Sequence, residues 1–216
     1  IPVAIGIVSL LVVRLLAPDM GVLPWLGLST ALLAGTGSIA PLWKRNLLRT
    51  PLFTWGMVVA HLGVAVALAG MAVDSAFFKE RLVAVNEGET TEVGPFSVKL
   101  LSVEPIIGPN WTAIEATMEA RRGDGQPFKL HPQARNYSTP PTDTSEAAIT
   151  TYIDGQLYAV LGKQGQDGRW QLRLWWKPLV TFIWLGGFMI ALGGLLALVG
   201  RVWRERRGVK SEEIAA

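Results

Sequence analysis

The chain has 216 residues, 50% hydrophobic and 17% charged, with a net charge of +3 and no cysteine. Its apolar residues are gathered into long uncharged stretches, which excludes a wholly water-soluble globule and marks a membrane protein. Without thiols it cannot run thiol–disulfide exchange through its own residues. The positive charge lies beside the apolar stretches, so it is a topology signal and not a nucleic-acid footprint.

In chain order, an apolar run from Ile1 to Val13 comes first. It has no basic n-region and no small-residue cleavage site, so it is not a signal peptide. We read residues 1 to about 17 as a span that begins upstream, and the chain as the C-terminal part of something longer. A short outer loop, APDMG, leads to a second span, Gly21 to Trp43, and the basic inner loop WKRNLLRT leads to a third, Phe53 to Val73. A polar block fills residues 74–177, a last span residues 178–200, and a basic tail residues 201–216. The full spans meet the roughly 20 apolar residues that a hydrocarbon core of about 30 Å requires. The tail is expected to fray after a turn or two.

The basic residues orient the chain. Lys44, Arg45 and Arg49 lie between the second and third spans; Arg201, Arg204, Arg206, Arg207 and Lys210 follow the last. Positive-inside bias puts both groups in the cytoplasm and the polar block in the periplasm of a bacterium. Arg14, on the outer side, mildly departs from this pattern. The polar block carries 11 Lys/Arg against 13 Asp/Glu, so the net charge comes from the membrane flanks.

That block reads as β. Arg81 to Asn86, Phe96 to Val103, Trp111 to Ala120, Ala147 to Ile153, Gln156 to Leu161 and Trp170 to Trp176 are short runs with strand composition, punctuated by the turn pairs Asp154-Gly155 and Asp167-Gly168. About seven strands imply a small barrel or sandwich. The stretch HPQARNYSTPPTDTSE is expected to be an irregular loop.

The third span holds one ionisable group, His61, near mid-membrane. Such a side chain in hydrocarbon is costly, so it points to a partner, a cavity or a cofactor. A proton relay needs further Asp, Glu or His in the spans, and the three full spans have none, which favours ligation with a partner ligand outside this chain. A neutral imidazole suits iron. Gly56, Ala60, Gly63, Ala67 and Gly70 form a stripe on the same helix, matched by Gly27, Ala31 and Gly35 in the second span and Gly186, Gly193 and Gly200 in the last. Ordinary helix packing explains most of them. A porphyrin is also expected to lie well against the stripe beside His61. The imidazole's other nitrogen needs an acceptor, and Thr54 is nearly two turns away.

His131, in KLHPQARNY, reads as a solvated loop residue. Arg135 and Tyr137 are spaced to share one face of a strand. Arg135 is a candidate for a partner or propionate carboxylate, with a surface ion pair as the plainer alternative. Trp175, Trp176 and Trp184 near the last span, and Trp43 and Trp55 around the inner loop, read as interfacial anchors. There is no phosphate loop, dinucleotide fingerprint or Ser/His/Asp set.

The segments RTPLFTWGMVVAHLG, LHPQARNY, SEAAITTYIDGQLYAVLG and KPLVTFIWLGG together cover most of Arg49 to Gly194, and in combination they resemble the C-terminal part of the CcmF/NrfE family, the large membrane subunit of bacterial cytochrome c haem lyase. The resemblance implies an inner-membrane role, with haem chaperone and other maturation subunits, in attaching haem to apocytochrome c. In that family a b haem is held in the membrane by histidines of two helices. One of them falls on His61, and the second axial ligand belongs to an earlier helix outside these residues. The family's Trp-rich segment and its outer histidines also have no counterpart here, and His131 matches neither, so this chain alone is expected to be inactive. The implied mechanism has the b haem keep the substrate haem ferrous while its vinyl groups react with the thiols of a CxxCH motif. The competing reading is a membrane-anchored periplasmic binding or assembly module with no haem of its own. A transporter fragment would need paired broken helices upstream.

Overall fold

In the computed structural model the chain is described over residues 2–215, with side chains from 4 to 205. It forms two units, residues 1–76 with 179–216 and residues 77–178. The first unit is helical: α1 (Pro2–Leu16), α2 (Val22–Ile39), α3 (Leu52–Phe77) and α4 (Val180–Ala215). Three of its segments, Val22–Leu42, Leu52–Phe77 and Val180–Glu205, are long and apolar enough to cross a membrane, while Ala4–Leu16 is apolar but shorter. Leu15, Leu23, Trp184 and Phe188 project openly from these helices, as lipid-facing side chains do.

Proline punctuates the helices. Pro41 stops α2, whose last turn tightens into a 3₁₀ turn over Ala40–Leu42. Pro51 stands just before α3 and its carbonyl accepts the first amides, those of Thr54 and Trp55. No proline interrupts the basic tail, and α4 continues through it to Ala215, with Arg201 and Glu205 paired one turn apart at 2.9 Å. The tail that is expected to fray is helical as far as Ala215, since extending an already nucleated helix costs little.

Small residues set the helix contacts. On α3, Gly56, Gly63 and Gly70 recur every seven residues; the first two meet α4 at Gly193 with Ala197 and at Gly186 with Ile190, and Gly70 meets Phe182 and Leu179, the residue just before α4. A Cβ on Gly63 would stand 2.7 Å from the Gly186 carbonyl oxygen, so only hydrogen permits this approach. From α4, Gly186 and Gly193 press in turn on Ala67 and Ala60. On another side of α3, Ala72 and Ala65 pack against Gly27 and Gly35 of α2. The Trp25 indole N–H on α2 donates to the Leu10 carbonyl of α1 at 2.9 Å.

The second unit is an antiparallel β-sandwich of ten strands: β1 (Lys79–Val85), β2 (Thr90–Val93), β3 (Phe96–Ile107), β4 (Trp111–Arg122), β5 (Phe128–Leu130), β6 (Gln133–Ser138), β7 (Pro141–Glu146), β8 (Ala148–Tyr152), β9 (Gly155–Gln164) and β10 (Trp170–Pro178). One sheet runs β1-β10-β9-β8; the other runs β2-β3-β4-β6-β7, with β5 added alongside β4. Alternation drives the packing. Phe96, Val98 and Leu100 of β3, Leu157, Ala159 and Leu161 of β9, and Leu172, Leu174 and Trp176 of β10 all point into one core. A bulge at Leu101 resets the β3–β4 register. Trp176 is a core residue, its ring tilted at 52° to that of Phe96 with centroids 5.2 Å apart, and not a membrane anchor. Gly94, at φ +55°, lies so close that a Cβ would meet its indole at 2.8 Å.

The expected irregular loop is the β6–β7 hairpin, paired from Gln133↔Glu146 to Ser138↔Pro141. Its strands are polar on both faces, so no hydrophobic alternation signals them; pairing to β4 makes them strands. Short β2 and β5 likewise arise from their neighbours.

Candidate functional site

His61 sits on α3 roughly opposite the glycine seam, since positions 56, 63 and 70 are about half a turn away around the helix. Its imidazole is exposed within this chain and lines an open groove of about 260 Å³ between α2 and α3. Met57 and Val64 of α3 and Ala34, Gly37, Ser38 and Pro41 at the end of α2 complete the walls. The small side chains on α2 leave the space beside the ring clear. Positions 34, 37, 38 and 41 have the spacing of one helix face, which is the sequence signal for this wall.

The ring's second-nitrogen partner is on its own helix. His61 Nδ1 lies 2.8 Å from the Met57 carbonyl oxygen, one turn back. A carbonyl only accepts, so Nδ1 donates, and in a neutral ring the lone pair is then on Nε2. This is the tautomer and orientation of a neutral imidazole poised to ligate a metal. The expected seat for a flat ligand is corrected, however. The stripe from Gly56 to Gly70 is filled by α4, and the groove beside His61 opens on the α2 side instead.

Arg135 and Tyr137 occupy one face of β6, with the Arg135 Nη1 donating to the Tyr137 hydroxyl at 3.3 Å. The guanidinium lies 4.3 Å from the ring centroid of Trp111 on β4, donates through Nε to Gln133 at 2.7 Å, and approaches Glu146 of β7 at 3.7 Å. Gln133 in turn bonds Glu115, and Glu115 lies 3.6 Å from His131, which also meets Thr117. Arg135 thus has its carboxylate within the sheet, and the ion-pair reading of it stands. Trp111 is the partner that spacing alone does not reveal. Among the described residues, no group of three or more His, Asp or Glu is placed to hold a bare metal ion.

Residues 76–178 match the family described as the CcmF C-terminal beta-sandwich. The chain is 40% identical over 159 residues to the cytochrome c-type biogenesis protein CcmF of Escherichia coli, covering 73% of this chain and 24% of that one. It is 34% identical to the biogenesis protein ccl1 of Rhodobacter capsulatus over 83% of this chain and 28% of the other, and 33% identical to CcmF of Pseudomonas fluorescens over 94% and 32%. The chain belongs to the CcmF family. It spans about a quarter to a third of the length of these relatives. A solved structure titled cytochrome c heme lyase CcmF has the same fold, with a TM-score of 0.72 over 91% of this chain and 34% of that one, at 20% identity. As a CcmF-family chain with three membrane-length apolar helices, this is a multi-pass bacterial membrane protein of cytochrome c biogenesis.

Proposed function

We propose that this chain is the C-terminal part of a cytochrome c haem lyase subunit in the bacterial inner membrane. In this reading the β-sandwich is periplasmic and the C-terminus cytoplasmic. His61 would be one of the residues that hold a b haem, the other lying on a helix outside this chain. The observation that carries the proposal is the locked imidazole: Met57 fixes the Nδ1–H tautomer, and the remaining nitrogen belongs to a ring that borders a groove walled by Ala34, Gly37 and Ser38. Met57 orients the ring through its carbonyl, and the small side chains of the α2 wall leave space beside it. When bound, the haem supplies one-electron chemistry. The β-sandwich would dock apocytochrome c or a partner subunit. The thiols that receive haem belong to that partner, because this chain has none.

The test is a pyridine haemochrome spectrum of the purified full-length protein. His61→Ala should reduce its b-haem content several-fold, and Gly37→Leu, which fills the groove without touching the ring's hydrogen bond, should do so as well. Haem content and spectrum unchanged in both variants would leave His61 as a packing residue of an anchored module.

A further inference from the structure

The apolar run of α4 ends at Gly200, and the next turn carries Arg201, Arg204 and Glu205. Gly200 sits against the first turn of α3, where an added Cβ would stand 2.5 Å from the Phe53 amide nitrogen. Beside this close approach lies an open cavity of about 390 Å³, lined by Phe53, Gly200, Arg201, Arg204 and Glu205. The half-exposed Phe53 ring gives it an apolar wall, and the two guanidinium groups give it a cationic one.

The charge of this cavity is not balanced within the chain. Arg201 donates through Nε to Glu205 at 2.9 Å, and among the described residues its two Nη groups have no partner. Arg204 has no ion pair among the described residues. Glu205 is the one carboxylate in the lining, since residues 40–73 and 178–204 hold no Asp or Glu. Lys44, Arg45 and Arg49, on the loop that leads into α3, add further positive charge, and Arg49 lies at most about 15 Å along the chain from Phe53. Arg201 and Arg204 are three positions apart and share a helix face, so an anion held between them relieves their repulsion.

The depth of the cavity identifies the anion. Residues 180–200 of α4 carry no charge, and at 1.5 Å per residue they span about 30 Å, the thickness of a hydrocarbon core. Arg201 and Arg204 therefore fall where the core gives way to lipid phosphates. Trp203, in the same turn, is 59% exposed, as an interfacial anchor is. Free phosphate has the same charge chemistry, but only a lipid brings an acyl chain to lie against Phe53.

We propose that the cavity where the start of α3 meets α4 binds one acidic phospholipid. Its phosphate is held by Arg204 and by the Nη groups of Arg201, and the upper part of an acyl chain lies against Phe53. Glu205 is already engaged by Arg201, so Arg204 and the loop cations supply the excess positive charge. The bound lipid ties the first turn of α3 to α4. The inference stands whether or not His61 binds haem, because the cavity shares no residue with the groove beside His61.

The test is native mass spectrometry of the purified chain in detergent micelles, titrated with dioleoylphosphatidylglycerol or with zwitterionic dioleoylphosphatidylcholine. One saturable phosphatidylglycerol adduct is expected, bound about tenfold or more tightly than phosphatidylcholine. The double variant Arg201→Gln with Arg204→Gln keeps good helix formers in the turn and should weaken that adduct by about tenfold or more. Lys44→Gln with Arg45→Gln removes the same charge from the neighbouring loop and should weaken it by less than about threefold. Ammonium phosphate in molar excess over the lipid should not displace it. Equal affinity for the two lipids, or undiminished affinity in the Arg201/Arg204 variant, overturns the proposal. An equal loss in both double variants overturns it too, by showing a diffuse basic field in place of a site. Displacement by ammonium phosphate would give the cavity to a free anion and likewise overturn it.

Discussion

Arg122 places its guanidinium 5.1 Å from the Tyr152 ring centroid, 5.3 Å from Trp176 and 5.7 Å from Phe96, and donates from both arms to the Asp154 carboxylate in the β8–β9 turn. The planar fork bonds and stacks at once, which a lysine cannot reproduce. Arg122→Ala should lower the stability of the sandwich by about 1–3 kcal/mol, measured by urea unfolding with tryptophan fluorescence. The Arg122 hydrogen bond holds the Asp154 carboxyl below the usual carboxylate range, against the opposing effect of burial. Because the folded value is the lower one, this contribution is complete above the ordinary carboxylate pKa of about 4 and is lost as pH falls toward the folded value. Asp154→Asn should therefore lower stability at neutral pH and flatten that part of the acid limb; an unaltered acid profile would count against the pair. None of this is legible locally. Arg122 reads as a turn residue in RRGDGQ, and its partner is 32 positions away. His61 is the opposite case: its cost in hydrocarbon makes it visible, while its acceptor, Met57, is a backbone carbonyl that no side-chain pattern announces.

The α3–α4 seam shows how far element-scale patterns go. The seven-residue recurrence of Gly56, Gly63 and Gly70 is plain in the sequence, and so is its counterpart in α4. Which stripe meets which, and that the meeting leaves no room for a ligand, depends on three-dimensional packing. Gly63→Val should destabilise the helical unit by roughly 1–3 kcal/mol, because the new side chain enters the Gly186 backbone. Gly187→Ala and Gly194→Ala, where an added Cβ meets nothing within 4 Å, should stay within about 0.5 kcal/mol of the parent. Thermal unfolding in detergent micelles separates the two classes. The β strands with one buried face, such as β9 and β10, are legible from alternation, whereas the polar β6–β7 hairpin is not. Its loop-like composition, STPPTDTS, gives way to pairing, which is a non-local effect: Thr139 and Pro140 form the hairpin tip, and β4 holds the near strand in place.

At the scale of the molecule, membrane spans are legible because hydrocarbon demands unbroken apolar runs, but sheet order is not. Strand β1 pairs with β10, the far end of the sandwich, with Lys79 opposite Trp176. Sequence carries no sign of that closure. Since residues 77–178 own a continuous core and their first and last strands are hydrogen-bonded, this segment expressed alone should unfold cooperatively, with calorimetric and van't Hoff enthalpies in agreement. A non-cooperative melt would show that the core depends on its tethers. The β1–β10 pairing also makes the sandwich modular: it returns the polypeptide to within about 5 Å of its point of departure. A genetic insert with neighbouring entry and exit can be exchanged for another version without re-spacing the helices that flank it, so the sandwich and the helical unit are free to change independently.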